Sequence, residues 1–211
     1  MSLVEELIKE GWLKTPRIVE AFEEIKRIDF LPEDLKYLAE VNEALPIGYG
    51  QTISQPLVVA FMIELLDPKS GEKILDIGSG SGWTTALLAQ IVSKAPNSKT
   101  KGRVIAIEII PELKEFGQGN VAKYDFIKSG IVEFFCCDGS KGFEKEAPFD
   151  KILCSASIQN EIPKAWKEQL KIEGKIVTPI GTSIFLINKK TERDFKEREY
   201  PGFVFVPLIE R

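Results

Sequence analysis

No histidine occurs in the 211 residues. That absence removes several chemistries together: no Ser-His-Asp triad, no Cys-His pair, no imidazole general base and no histidine-ligated metal. Cysteine is scarce as well. Cys136, Cys137 and Cys154 lack metal-ligand spacing, and adjacent strand residues such as Cys136 and Cys137 point to opposite faces. They read as buried small hydrophobes rather than a redox pair, and no metal site is expected. No apolar run approaches the length of a membrane helix, and Met1-Ser-Leu-Val-Glu-Glu lacks the basic start and apolar middle of a signal peptide. A cytoplasmic chain with no membrane partner is expected. The net charge of -4 gives no electrostatic footprint for nucleic acid.

What is present suits one α/β domain, with 44% hydrophobic residues to build its core. The expected division is a single unit over 1–211, with an N-terminal helical segment (1–45) packed on a core (46–211). The most informative stretch is Lys73-Ile-Leu-Asp-Ile-Gly-Ser-Gly-Ser-Gly-Trp83. A short apolar run ends in an acid, enters a glycine-rich turn and continues into a helical pattern from Thr84 to Val92. A dinucleotide fingerprint would need its third glycine one place later than Gly82, where Trp83 stands. Asp76 would repel a pyrophosphate but attract an ammonium and a sulfonium, so the expected cofactor is S-adenosyl-L-methionine. The bland alternative is an ordinary βα turn with an acid nearby.

Around this turn the chain alternates strand and helix signals. Residues 2–10 carry apolar positions at helical spacing, and Thr15-Pro16 caps a second helix ending near Arg27. A less regular helical stretch reaches Val41. Leu45 to Pro56 is a glycine- and proline-containing structured loop that opens a buried helix over Leu57–Leu66. Ala95 to Gly102 is a polar connection. Further strands are expected at 103–108, 131–139, 149–157 and 174–180, with helices from Pro111 to about Ser129 and from Pro163 to Leu170. This alternation implies a doubly wound, mostly parallel, Rossmann-like sheet. At its end, 183–188 and 203–206 read as an antiparallel strand pair. The charged segment 189–199 reads as their solvated hairpin tip.

Ligands in such sheets lie beyond the carboxyl ends of the strands, and Asp76, Glu108 and Asp138 each stand at one. Glu108 suits both hydroxyls of a ribose, and Asp138 with Gly139 suits an adenine amine. Each acid alone can equally be a turn or cap residue.

Leu75-Asp-Ile-Gly-Ser-Gly-Ser-Gly82, Gly50-Gln-Thr-Ile-Ser-Gln-Pro56, Cys137-Asp-Gly139, Pro148-Phe-Asp150, Pro179-Ile-Gly181 and Phe205-Val-Pro-Leu208 together resemble the protein-L-isoaspartate O-methyltransferase family. The resemblance implies an enzyme that methylates the free α-carboxylate of L-isoaspartyl residues in damaged proteins and peptides. The ester then cyclises to a succinimide and reopens partly as aspartate. It implies Ser54 as the catalytic residue. The cofactor would be held by Ile53, Gln55, Pro56, Asp76, Gly78, Ser79, Gly80, Glu108, Ile109, Asp138 and Gly139. Gln51, Thr52, Ser155, Ala156, Pro179 and Val206 would face the substrate of a monomeric enzyme. A carboxylate is already ionised at neutral pH, so the reaction needs orientation rather than a base, in keeping with the missing histidines. Tyr49, the Cys154–Glu161 segment and an expanded 94–101 depart from the family pattern. A related methyltransferase for another carboxylate or small molecule, and a non-catalytic cofactor- or peptide-binding module, are the alternatives. Retention of the loop around Ser54 favours catalysis.

Overall fold

The computed structural model describes residues 1–93 and 102–211. The expected polar connection and the expansion at 94–101 therefore lie outside the described residues, apart from Gly102. Five strands form the parallel part of the sheet: β3 (Lys73–Ile77), β4 (Arg103–Glu108), β5 (Val132–Cys136), β6 (Phe149–Cys154) and β7 (Leu170–Ile180). Strands β8 (Ser183–Lys189) and β9 (Phe195–Pro201) add antiparallel to β7, giving the order β5-β4-β3-β6-β7-β8-β9. From β3 the chain winds outward to β5 and then returns beside β3 as β6. The order thus reverses at β3, and a crevice opens at the carboxyl ends of β3, β4 and β6.

The parallel strands are apolar throughout because both of their faces are covered. Alternation sorts their side chains into two cores. Ile74, Val104, Leu153 and Val177 pack on one face against α1 (Leu3–Lys9), α2 (Pro16–Glu24), α3 (Pro56–Leu66), α4 (Trp83–Ser93) and α5 (Pro111–Ala122). Leu75, Ile105, Ile152 and Ile176 face the other way, toward Trp166 of α6 (Lys164–Gln169). The N-terminal helices are continuous with the first core, contributing Leu7, Ile18 and Phe22.

Several expected elements differ. The stretch after α2 is two 3-10 turns, Arg27–Phe30 and Glu33–Leu38. Thr15 has the extended backbone of a cap, but its hydroxyl donates to Glu64 Oε2 (2.7 Å) instead of capping α2. The loop before α3 contains a hairpin, β1 (Leu45–Gly48) with β2 (Gln51–Ile53), turned by Tyr49 and Gly50 at φ 55 and 71. α5 stops at Ala122, seven positions short of the expected end, and Asp125 (φ 59) lies in the turns that follow. The terminal pair joins β8 to the charged segment itself. β9 is an edge strand with most of its side chains in solvent, so it needs no apolar face. Gly202 (φ 99) then turns the chain away, and 203–206 is not a strand. The thiols also separate: Cys154 is buried, Cys137 half-buried and Cys136 exposed.

One close approach fixes the glycine turn. Gly82 (φ 84) lies so near α5 that an added Cβ would stand 2.7 Å from the carbonyl oxygen of Gly117. Gly82→Ala is expected to cost on the order of 2 kcal/mol or more, through combined strain and clash. Denaturant unfolding checks this, and an unchanged midpoint would mean that the turn relaxes freely.

Candidate active site

The turn between β3 and α4 lies against the end of β4. The Gly78 and Ser79 amides both donate to the Ile107 carbonyl (2.9 and 3.1 Å), and the Gly80 amide donates to Glu108 Oε2 (2.9 Å). Glu108 Oε1 accepts from the amides of Ile109 and Ile110 (2.8 and 3.0 Å). Three of roughly four lone-pair positions on this carboxylate are thus taken, and one remains for a hydroxyl.

Beside the turn is a cleft open to solvent at its mouth. Its walls include Gln51, Thr52, Ile53, Ser54, Gly78, Ser79, Gly80, Glu108, Ile109, Gly139, Ser155, Ala156 and Val206, all expected site residues. A second cavity adjoins it, walled by Gln55, Val58 and the 202–206 segment. Thr52, Ser54, Ser155 and Val206 line both. Sequence reasoning missed Ile47, Trp83, Thr84, Leu208 and Ile209 on the first wall. In the sequence Trp83 stands only as a departure from the dinucleotide fingerprint, and of the Phe205–Leu208 motif only Val206 is expected on the wall. The tail is held by reciprocal bonds, Ser157 amide to Val206 carbonyl and Leu208 amide to Ser157 carbonyl, both 2.8 Å.

Four expected site residues line neither cavity. Pro56 is the buried first residue of α3. The Pro179 carbonyl accepts from the Ile158 amide (3.1 Å), so it supports the wall at 155–158 from behind. Asp138 Oδ1 accepts from the amide and hydroxyl of Ser140 (3.0 and 2.7 Å), while Oδ2 faces the Arg211 amide (3.1 Å) and Lys141 Nζ (3.2 Å). Burial would raise this carboxyl, but those donors hold it down at about 2. Both its oxygens serve the local turn and the tail, and Gly139 is the part of the pair on the cleft wall.

Asp76 requires a larger correction. It does not reach the cleft; it is fully buried on the α4 side of β3, where Thr85 Oγ1 donates to its Oδ2 (2.6 Å). Burial pushes the carboxyl up to about 7; the Thr85 bond opposes this, and the charge of Glu108 reinforces it. Its influence on a ligand is a field through the turn, not a contact.

The donor set fits a cationic, ribose-bearing ligand. Ser79 Oγ and Asp76 Oδ1 are buried without a hydrogen-bond partner, and a positive charge nearby would relieve the repulsion between Asp76 and Glu108. The strand order and this cleft define a class I S-adenosylmethionine-dependent methyltransferase.

Within that class the comparisons are specific. The family described as Protein-L-isoaspartate(D-aspartate) O-methyltransferase (PCMT) matches residues 1–211. Protein-L-isoaspartate O-methyltransferase of Methanopyrus kandleri is 42% identical over 211 residues, covering 98% of this chain and 89% of its own. The Pyrococcus horikoshii protein of the same name is 40% identical over 213 residues, covering 98% and 90%. Among solved structures, a Plasmodium falciparum chain assigned to the same activity, in complex with S-adenosyl-L-homocysteine, has the same fold. Its TM-score is 0.86 at 23% identity, over 99% of this chain and 97% of that one. A protein-L-isoaspartate O-methyltransferase structure at 28% identity has a TM-score of 0.82, over 97% of this chain and 64% of that one. The chain belongs to the protein-L-isoaspartate(D-aspartate) O-methyltransferase family.

Two outcomes are expected at this site. The Asp76 carboxyl sits near 7 in the fold against 3.8 unfolded, so the folded state holds the extra proton between those values. Its contribution to stability is full below 3.8 and is lost as pH rises toward 7. The thermal midpoint of ligand-free Asp76→Asn relative to wild type should therefore climb across that window, and a flat difference would mean Asp76 is not so perturbed. Cys137 lines the cleft, and burial first, then Cys136 and Asp138, raise its thiol. In alkaline alkylation mapped by mass, S-adenosylhomocysteine should slow labelling of Cys137 but not of exposed Cys136. Equal labelling of Cys137 would move the ligand elsewhere.

Proposed function

We propose that residues 1–211 form one catalytic unit that methylates the α-carboxylate of L-isoaspartyl residues in damaged proteins and peptides. The unit would act in the cytoplasm as a monomer, with no nucleic-acid partner. Family membership and the relatives' shared name support the activity; among the described residues no helix is long and apolar enough to cross a membrane. The observation that carries the reading is the junction at Ser54. One cavity holds the glycine turn and Glu108, the other is walled by Val58 and 202–206, and Ser54 borders both.

S-adenosyl-L-methionine, when bound, supplies an electrophilic methyl group whose transfer to a carboxylate oxygen leaves a methyl ester and S-adenosylhomocysteine. The chain's own residues bind and align. Ser79 offers its unpartnered hydroxyl to the cofactor, Gly78, Gly80 and Gly139 let it approach the main chain with no Cβ in the way, and Glu108 accepts from its ribose. Ile53 and Ile109 add apolar surface beside them. The Ser54 hydroxyl donates to the accepting carboxylate; among the described residues it has no other hydrogen-bond partner to give up. Gln51, Thr52, Ser155, Ala156 and Val206 complete the wall around that carboxylate and exclude water. No residue removes a proton, because the acceptor is already an anion at neutral pH. Cyclisation of the ester to a succinimide then opens the route back to aspartate.

The altered Cys154–Glu161 segment is compatible with this substrate. Ser155 and Ala156 lie on the wall, whereas Gln159, Asn160 and Glu161 are exposed.

Matched isoaspartyl and aspartyl peptides with labelled S-adenosylmethionine test the reading: only the isoaspartyl peptide should gain a base-labile label. Ser54→Ala should lower kcat by roughly ten- to a hundredfold, the worth of one hydrogen bond to a charged group, with S-adenosylhomocysteine affinity near normal. Labelling of neither peptide, with the ligand still bound, would point to another carboxylate; unchanged turnover would remove Ser54 from the mechanism.

A further inference from the structure

Two residues with no part in the chemistry grip the Ser54 loop from the N-terminal segment. Arg27 is 5% exposed. Its Nη1 donates to the carbonyls of Ala39 and Val41 (3.4 and 2.8 Å), and its Nη2 to those of Glu43 and Ser54 (2.7 and 3.4 Å). Main-chain oxygens take these donors, and the guanidinium carbon lies 5.5 Å from the centre of the Trp83 ring. Asn42 is on the same segment. Its carbonyl accepts from Gln55 Nε2 (2.9 Å), and its side-chain oxygen accepts from the Leu57 amide (3.0 Å). Residue 54 is thus held through its carbonyl, and residues 55 and 57 through Asn42.

The arrangement costs stability in itself. Burying a guanidinium with Nε unpartnered is unfavourable, and desolvation, offset in part by Glu40, lowers Arg27 to about 10. A planar fork of donors does something that a flexible ammonium cannot: it fixes two main-chain segments relative to each other. Here those segments are 39–43 and the loop carrying the serine at the junction of the two cavities.

We propose that Arg27, through the Ser54 carbonyl, and Asn42, through Gln55 and Leu57 just after it, are positioning residues that fix the loop and thereby aim the Ser54 hydroxyl at the accepting carboxylate. The proposal rests on the role given to Ser54 above. In a reaction run by alignment, a displacement on the order of 1 Å is worth up to about a hundredfold in rate. Misplacement of Ser54 should therefore appear in kcat rather than in cofactor affinity.

The test is a double-mutant cycle of Asn42→Ala with Ser54→Ala, reading kcat and KM for an isoaspartyl peptide and the Kd of S-adenosylhomocysteine. Asn42→Ala should lower kcat roughly tenfold with Kd within about twofold, and should cost nothing further once Ser54 is alanine. Arg27→Lys, which keeps the charge but loses the fork, should behave in the same way if it folds; Asn42→Ala decides the question if it does not. Full additivity with Ser54→Ala, or a loss confined to Kd, overturns the proposal. If Ser54→Ala alone leaves kcat unchanged, the role of Ser54 falls and positioning through it falls too. If Ser54→Ala slows turnover while Asn42→Ala does not, only the positioning role falls.

Discussion

The close passage of Gly82 beneath the Gly117 carbonyl is the constraint on which the site depends. It lets the turn after β3 lie flat between the end of β4 and the flank of α5. From that position the turn's amides reach the Ile107 carbonyl and the Glu108 carboxylate. Asn120 of α5 closes the same contact by donating to the Ser81 carbonyl (3.1 Å). A bulkier turn would lift away from β4, release Glu108 and widen the cleft. The geometry that receives a ligand is thus set by helix-to-turn packing below it, not by contacts within the cleft.

Three carboxylates at successive strand ends illustrate how position divides similar residues. Asp138 has donors on both oxygens and is held as a firm anion. Glu108 is anchored by three amides yet faces the cleft. Asp76 is sealed beneath the turn with one hydroxyl donor. The first organises the tail, the second lines the cleft, and the third is closed off from it.

The parallel strands were legible in the sequence because strands covered on both faces must be apolar, but β5 and β6 stop at Cys136 and Cys154, short of the expected 139 and 157, and β7 begins at Leu170 rather than 174. The misreadings have physical causes. β9 reads as a hairpin tip in the sequence because an edge strand in solvent can be as charged as a loop. Asp76 reads as a ligand contact in the sequence because it stands next to the turn. Yet the two-residue period that puts Leu75 and Ile77 in one core puts Asp76 with Ile74 on the α4 side. Ser54, Glu108 and Gly139 could be located from motif and strand end alone. Val206 was legible from its motif, whereas Trp83 and Ile209 reach the wall through long-range packing that leaves no local pattern.

The walls shared by the two cavities also bear on how such a protein could be redirected. Thr52, Ser54, Ser155 and Val206 face both, so a substitution there reshapes both cavities at once. Ala44, Val58, Phe203 and Val204 border only the second cavity, and Val204 is 87% exposed. Substitutions at those four positions leave the wall of the first cavity untouched, although Phe203 also stacks on Phe61. The shared wall ties the two functions together and leaves little room for drift.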